Sequence, residues 1–394
     1  MKSGSEKSAS ASPWQSVWQR FKKDPLAVGA LCALVLLMLL ALLAPLLANP
    51  RALLAYTPGD GLSMPFLRSF FAPESTEFFI EKLFNFALLA LLPSAIILLA
   101  VKKRLVRNLL LAGLLLLLLL PFVLVKPKLE RVDRSVEPPA GSWQINALLP
   151  YGPFEQISKP YTPPGKKHPL GCDELGRDLA VRLIYGSRIS LAVGLLATTL
   201  AMIIGIAVGV STGYLGGWID MITMRLVEIL MCFPVFLLLL IVMSYFQEYK
   251  FEQSILAVTG ILALTGWIGT AQLTRGEVLK QREMVYVKAA QALGVSRIGI
   301  IFKHILPNIA GTVMIAFSFG VAGAILSESA LSFLSFGVQP PTASWGGMLR
   351  TAYGDPLSAW HMTVFPGLML FWAVAGFNLL GEGLRKALDP NSSR

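Results

Sequence analysis

Long uninterrupted runs of apolar residues dominate the chain, and its polar residues gather in the stretches between them. The clearest run, Leu26 to Leu47, carries no charge and matches the ~20 residues a helix needs to cross the hydrocarbon of a bilayer. Two more runs, Phe84 to Val101 and Asn108 to Val125, flank a basic turn of Lys102, Lys103, Arg104 and Arg107. That pattern predicts a helical hairpin turning on the cytosolic side. Five further spans fit at about 189–212, 222–246, 254–274, 309–335 and 362–384, giving an all-α, polytopic membrane fold of about eight transmembrane helices. Six spans plus an interfacial hairpin is the alternative; either way the hairpin leaves the downstream topology unchanged.

The stretches between the runs set the organisation. Residues 1–25 are Ser-rich and basic, contain Trp14 and Trp18, and read as a cytosolic tail with an interfacial helix before the first span at 26–47. The tail is polar and the run after it too long for a cleaved signal peptide. Residues 48–125 hold a periplasmic stretch plus the extra hairpin, and the Pro-broken residues 126–187 an ordered extracytoplasmic segment. A core at 188–386 follows, with a cytosolic insertion at 275–308 and a cytosolic tail at 387–394.

Composition agrees, with 55% hydrophobic and 14% charged residues. The net charge of +11 lies wholly on the segments assigned to the cytosol, while the remainder balances. The charge is therefore a topology signal, and nucleic-acid binding is not needed to explain it. Cys32, Cys172 and Cys232 form no disulfide or metal framework, and His168, His304 and His361 lack metal-ligand spacing. A phosphate-binding G-x-x-x-x-G-K-[ST] motif is absent, and no serine has a convincing base at its depth. The chain thus reads as a non-enzyme with no cofactor or metal of its own.

Four features carry mechanism. Ala197, Ala201, Gly205, Gly209 and Gly213 recur every fourth residue and form one stripe for close helix packing. Glu328 stands deep in a predicted span, where a carboxylate costs a few kcal/mol, so it should line a translocation path or pair at a subunit interface. Asp173, Glu174, Arg177 and Asp178 suit capping and pairing at a helix start. Arg225 and Glu228 suit a helix ion pair, and Asp220 and Glu382 lie near the cytosolic edge.

The fourth feature is the cytosolic stretch EMVYVKAAQALGVSRIGIIFKHILPN, from Glu283 to Asn308. It is long enough for two short helices joined at Gly294, which can adopt the positive φ of a helix C-cap, with Pro307 stiffening the return to the membrane. The segment resembles the coupling loop of ABC importer permeases, whose motif is EAA, three residues, G, nine residues, then I-x-L-P. Ala289, Ala290, Gly294, Leu306 and Pro307 fall at its spacing, while Lys288 replaces the motif Glu and His304 the motif Ile. A narrower resemblance, to dipeptide, oligopeptide and nickel permeases, rests on HPLGCDELGRDLAVRLIYGSRISL from His168 and LSFLSFGVQPPTASWGGML from Leu331, with Cys172 where Thr is frequent.

The resemblance implies a five-helix type I importer core in the bacterial inner membrane, with both termini cytosolic. It further implies a second homologous permease subunit, two cytosolic ATP-binding subunits that carry the ATP and Mg, and an extracytoplasmic substrate-binding protein. The substrate class it suggests is peptide, with nickel chelates or other small solutes as alternatives. A secondary transporter driven by an ion gradient is the main competitor, but it should carry several intramembrane ionisable groups or inverted repeats, and only Glu328 stands out. A membrane scaffold or sensor would leave the coupling segment unexplained.

Overall fold

The computed structural model describes residues 13–59, 61–71, 77–125, 141–248, 254–354, 357 and 359–389. The expected tail segments 1–12 and 390–394, and residues 126–140 of the extracytoplasmic segment, lie outside these.

The N-terminal helix α1 (Pro13–Phe21) is amphipathic, stacks Trp18 on Phe21, and leaves Trp14 and Trp18 half exposed. Asp24 then caps α2 (Pro25–Leu42) by accepting hydrogen bonds from the amides of Leu26 and Ala27, while Pro25 occupies the first turn, where no amide is missed. A break before Pro45 leads into the single turn α3 (Ala44–Leu47). Strands β1 (Leu54–Thr57), β2 (Gly61–Ser63) and β3 (Trp143–Ile145) make a small antiparallel sheet in the order β2-β1-β3, with Tyr56 stacked on Trp143. The apolar runs did not announce this sheet.

Beyond α4 (Leu67–Phe71), the hairpin forms from α5 (Phe78–Ala100) and α6 (Arg104–Leu124). The core begins with α7 (Leu179–Leu215), 37 residues long and capped by Asp178, whose carboxylate accepts from the Val181 amide at 3.1 Å. This helix starts ten residues ahead of the expected 189, inside the stretch read as too broken for long helices. Its first turns look polar because Arg182 and Arg188 are there; both are buried.

The expected span at 222–246 is not one helix. It is α8 (Gly217–Met231) and α9 (Val235–Glu248), bent by 79° across the break. Pro234 explains the break, since it lacks an amide proton and disfavours helical geometry at Phe233. Next, α10 (Ser254–Arg282) runs eight residues past its expected end, and α11 (Val285–Ala292) follows after a short turn. The second arm of the insertion is not a separate short helix: α12 (Arg297–Ile300), a π-helical turn (Ile301–Ile305) and α13 (Leu306–Phe333) run on as one rod. The π turn accommodates Pro307: the Leu306 amide reaches back to Ile301 O, relieving the ladder just where the proline removes a donor. Finally α14 (Trp345–Tyr353), a short helix in what read as a loop, leads to α15 (Trp360–Leu388).

Among the described residues, seven helices are long and apolar enough to cross a membrane, and the bent α8–α9 pair makes eight if it counts as one span. The main apolar core joins α2, α7, α10, α13, α14 and α15 around the fully buried Trp345. Helix α2 lies on α15 so closely that a side chain at Gly383 would meet Ala27.

Candidate functional site

The insertion between α10 and α13 folds into a braced elbow. Helix α11 ends in a Schellman motif: Val295 N donates to Ala290 O (3.1 Å), Gly294 N to Gln291 O (3.0 Å), and Gly294 sits at φ +75°. Ser296 caps the next arm, its hydroxyl accepting from the Gly299 amide at 3.2 Å. Inward, Val287 and Ala290 of α11 pack with Ile300, Ile305 and Ile309 against Val210 and Tyr214 of α7 and Val278 of α10, all buried. Leu306 packs against the same cluster. Tyr286 ties three elements together, donating to Gln281 Oε1 at 2.6 Å and accepting from Asn308 Nδ2 at 3.2 Å. Its ring faces His304, whose carbonyl also accepts from Asn308.

The outer side of the elbow exposes several large apolar residues among its charged ones. Val285 and Leu293 are each 84% exposed, Ile298 70% and Phe302 66%. A side chain added at Gly294 would meet nothing. Lys288 is exposed and pairs with Glu283 at 3.0 Å, which holds the Glu283 carboxyl below the usual carboxylate range. The lysine at the motif's Glu position therefore has an acid of its own chain. Sequence reasoning missed the four exposed apolar residues; the signal was their alternation with Val287, Ala290 and Ile300 at helical spacing.

The elbow is mounted on α7 and α10, which pack through the small-residue stripe. Ala197, Ala201, Gly205, Gly209 and Gly213 are all buried. A β-carbon at Gly205 would stand 2.7 Å from Trp267 O, at Gly209 2.5 Å from Ala271 O, and at Gly213 2.9 Å from Arg275 O. At each glycine the facing atom belongs to the partner backbone, so contact at this distance requires the missing side chain. Asp220 of α8 adds a two-pronged ion pair to Arg275 of α10 (2.5 and 2.7 Å), more than an edge residue was expected to do. Arg225 and Glu228 pair on the exposed face of α8 at 2.6 Å.

Glu328 is fully buried inside this chain, where α7, α13 and α14 meet. Its carboxyl accepts from Ser332 (2.7 Å), Ser190 (3.2 Å) and Ser329 (3.4 Å), and Ser344 is a further partner. Ser190 in turn accepts from the Trp345 amide at 3.5 Å. The group therefore meets a cradle of hydroxyls from its own chain.

A second buried charge is Arg188, which sequence reasoning passed over. It donates to the carbonyls of Ala41 (2.6 Å) and Leu42 (3.1 Å) at the end of α2 and to Asn85 Oδ1 of α5 (2.9 Å), with its guanidinium over Phe84 and Tyr185. One cation thus satisfies orphan helix-end carbonyls and fixes the hairpin to the core. At the start of α7, Arg177 pairs with Asp173 (2.6 Å) and Glu174 (2.8 Å), Arg182 with Asp173 (3.0 Å), and His168 with Asp178 (2.9 Å). Burial, then the nearby Asp178 carboxylate, pushes the Cys172 thiol up to about 11.

Comparison with known families places this geometry. Residues 205–394 match the family described as "Binding-protein-dependent transport system inner membrane component", and residues 12–59 match the "N-terminal TM domain of oligopeptide transport permease C". The chain is 38% identical over 227 residues to the glutathione transport system permease protein GsiD of Pectobacterium atrosepticum, covering 58% of this chain and 74% of that one. It is 39% identical over 249 residues to the dipeptide transport system permease protein DppC of Bacillus subtilis, covering 63% and 76%. The elbow lies within the first family match, and the α5–α6 hairpin lies between the two matches. The chain is a multi-pass membrane protein that belongs to the family of inner-membrane permease components of binding-protein-dependent transport systems.

Proposed function

We propose that this chain is one permease half of an ATP-driven importer of di- or oligopeptides, with its N- and C-termini and its elbow in the cytosol. The observation that carries the reading is the elbow's two-sided build. Its inner side is locked by Val287, Ala290 and Ile305 to α7, α10 and α13, and its outer side offers Val285, Leu293, Ile298 and Phe302. An ATP-binding subunit seated on that outer side has a stiff lever to push, because the Schellman turn at Gly294, the Ser296 cap and the Tyr286 bridge leave no loose joint.

In this scheme, ATP closes a pair of ATPase subunits, and the displacement passes through residues 283–308 into the packed α7–α10 pair and the α12–α13 rod. This chain and a homologous second permease enclose the path and alternate between inward- and outward-open forms. Residues 141–178 and the loops flanking α14 receive substrate from an extracytoplasmic binding protein. Lys288, Ala289, Ala290, Gly294, His304, Leu306 and Pro307 form the coupling segment, Glu328 holds the α7–α13–α14 junction, and the 188–386 core is the moving body. Peptide is the favoured cargo because the relatives are dipeptide and glutathione permeases.

Reconstituted proteoliposomes test the reading. With both permease chains, the ATPases and the binding protein present, labelled dipeptide should enter only when ATP is supplied. Uptake by this chain alone on an ion gradient would overturn it.

A further inference from the structure

The foot of the hairpin and its tip are built on opposite plans. At the foot, every prominent polar group is matched within the chain: buried Glu77 accepts from the Ile255 amide at the start of α10 (3.1 Å). Lys82 donates to the carbonyls of Phe122 and Val125 at the end of α6 (2.7 Å each), and Asn85 joins Phe70 O to Arg188. At the tip, Lys102, Lys103, Arg104 and Arg107 fall within six residues with no acid among them. Among the described residues, none of these four side chains has an ion pair or hydrogen bond in the chain, and the Arg107 Nε is shielded from solvent with no partner.

The tip's position follows from chain direction. Helices α5, of 23 residues, and α10, of 29, both start at the Glu77–Ile255 contact and lead away from it. Their far ends, the basic tip and the coupling elbow, therefore lie at the same face of the membrane. The tip also stands at the amino end of α6, where Lys103 supplies no side-chain cap and the first amides of the helix are unpaired. That end of a helix favours anions, while the carboxyl end of α5 lies beside it. The residues around the four cations are apolar and exposed: Leu99 at 85%, Leu105 at 74% and Leu109 at 64%.

We propose that the tip is a docking surface for anionic phospholipid headgroups of the leaflet on the elbow's side. The charge pattern calls for phosphate, and the exposed leucines place that phosphate at the hydrocarbon boundary, where it arrives attached to acyl chains. The hairpin is then held at both ends, by the core at its foot and by lipid charge at its tip. This inference does not depend on the cargo or on the ATPase partners.

The test uses the full-length chain extracted from vesicles of equimolar phosphatidylglycerol and phosphatidylcholine, with retained lipids counted by native mass spectrometry. The wild-type chain should hold phosphatidylglycerol in preference to phosphatidylcholine. K102Q/K103Q/R104Q/R107Q should lower that preference by at least roughly tenfold, since each cation near a membrane surface contributes about a fivefold factor. K102Q/K103Q, which keeps Arg104 and Arg107 to orient the hairpin, should give an intermediate loss, and K166Q/K167Q in the segment before α7 should give none. Unchanged phosphatidylglycerol retention in both tip variants would overturn the proposal. So would displacement of the lipid by inorganic phosphate, which would make the tip a soluble-anion site.

Discussion

Gly294 makes the bend of the elbow, and its replacement separates two ways in which a side chain there could do harm. The residue sits at φ +75°, so any L-residue with a β-carbon meets backbone strain of about 1–2 kcal/mol, less for Asn, which visits that region readily. Space is not the obstacle, because an added β-carbon has no neighbour within 4 Å. Strain of about 1–2 kcal/mol shifts the local balance of bent and unbent elbow roughly 5- to 30-fold without unfolding the membrane core. Gly294→Asn should therefore keep most ATP-driven uptake, Gly294→Ala should lose a large part of it, and Gly294→Val, β-branched and poorly tolerated at positive φ, should lose nearly all. Uptake per membrane-inserted chain in proteoliposomes is the measurement, with immunoblotting of the membrane fraction to normalise it. Full uptake by Gly294→Val would refute the argument that the bend transmits work. Greater loss by Asn than by Ala would show that side-chain volume, not backbone conformation, is what matters.

The remaining expectations follow from buried groups. Glu328→Leu strips the acceptor from the surrounding hydroxyls, at about 1–3 kcal/mol for each left unpaired, and should lower the thermal midpoint in detergent far more than Glu328→Gln; equal midpoints would exclude the cradle. Arg188→Met leaves the Ala41 and Leu42 carbonyls and Asn85 without their donor, at about 1–3 kcal/mol for each left unpaired, and should expose the 48–71 region to protease; a normal digestion pattern would contradict the anchoring role. Because the thiol of Cys172 ionises only near 11, it should resist maleimide at neutral pH in the folded chain and react after denaturation, as mass spectrometry of labelled peptides can show; prompt labelling of the folded chain would mean that the α7 start is open.

Much of this architecture could be read from the chain because a membrane imposes its own arithmetic on sequence. The uncharged runs that become α2, α5 and α6 are legible by length alone, and the small-residue stripe of α7 by its spacing of four. The elbow's turn was legible at Gly294 because only a few residues fit a C-cap with positive φ. What stayed hidden depends on partners distant in sequence. Arg188 gave no local sign of its role, yet it is buried by carbonyls nearly 150 residues earlier in the chain. Asp178 already signalled the earlier start as a capping residue. The break at Pro234 was visible in the residue type but not in the hydropathy, which stays high on both sides. Glu328 stood out as a carboxylate deep in an apolar run, but its partners did not: Ser190 and Ser344, from α7 and from the turn before α14, supply hydroxyls that local sequence does not show.

The central claim is that the outer face of the elbow receives the work of a nucleotide-driven partner. A cysteine at Leu293, in a chain lacking its native cysteines and assembled with its transporter partners, tests this by short-arm cross-linking to single cysteines on the ATP-binding subunit. The account predicts an adduct with that subunit, formed at a rate that changes between nucleotide-free and ATP-bound states, and no labelling of Leu293→Cys by an impermeant thiol reagent added outside intact cells. Labelling from outside, or the absence of any adduct in a complex that still transports, would contradict it.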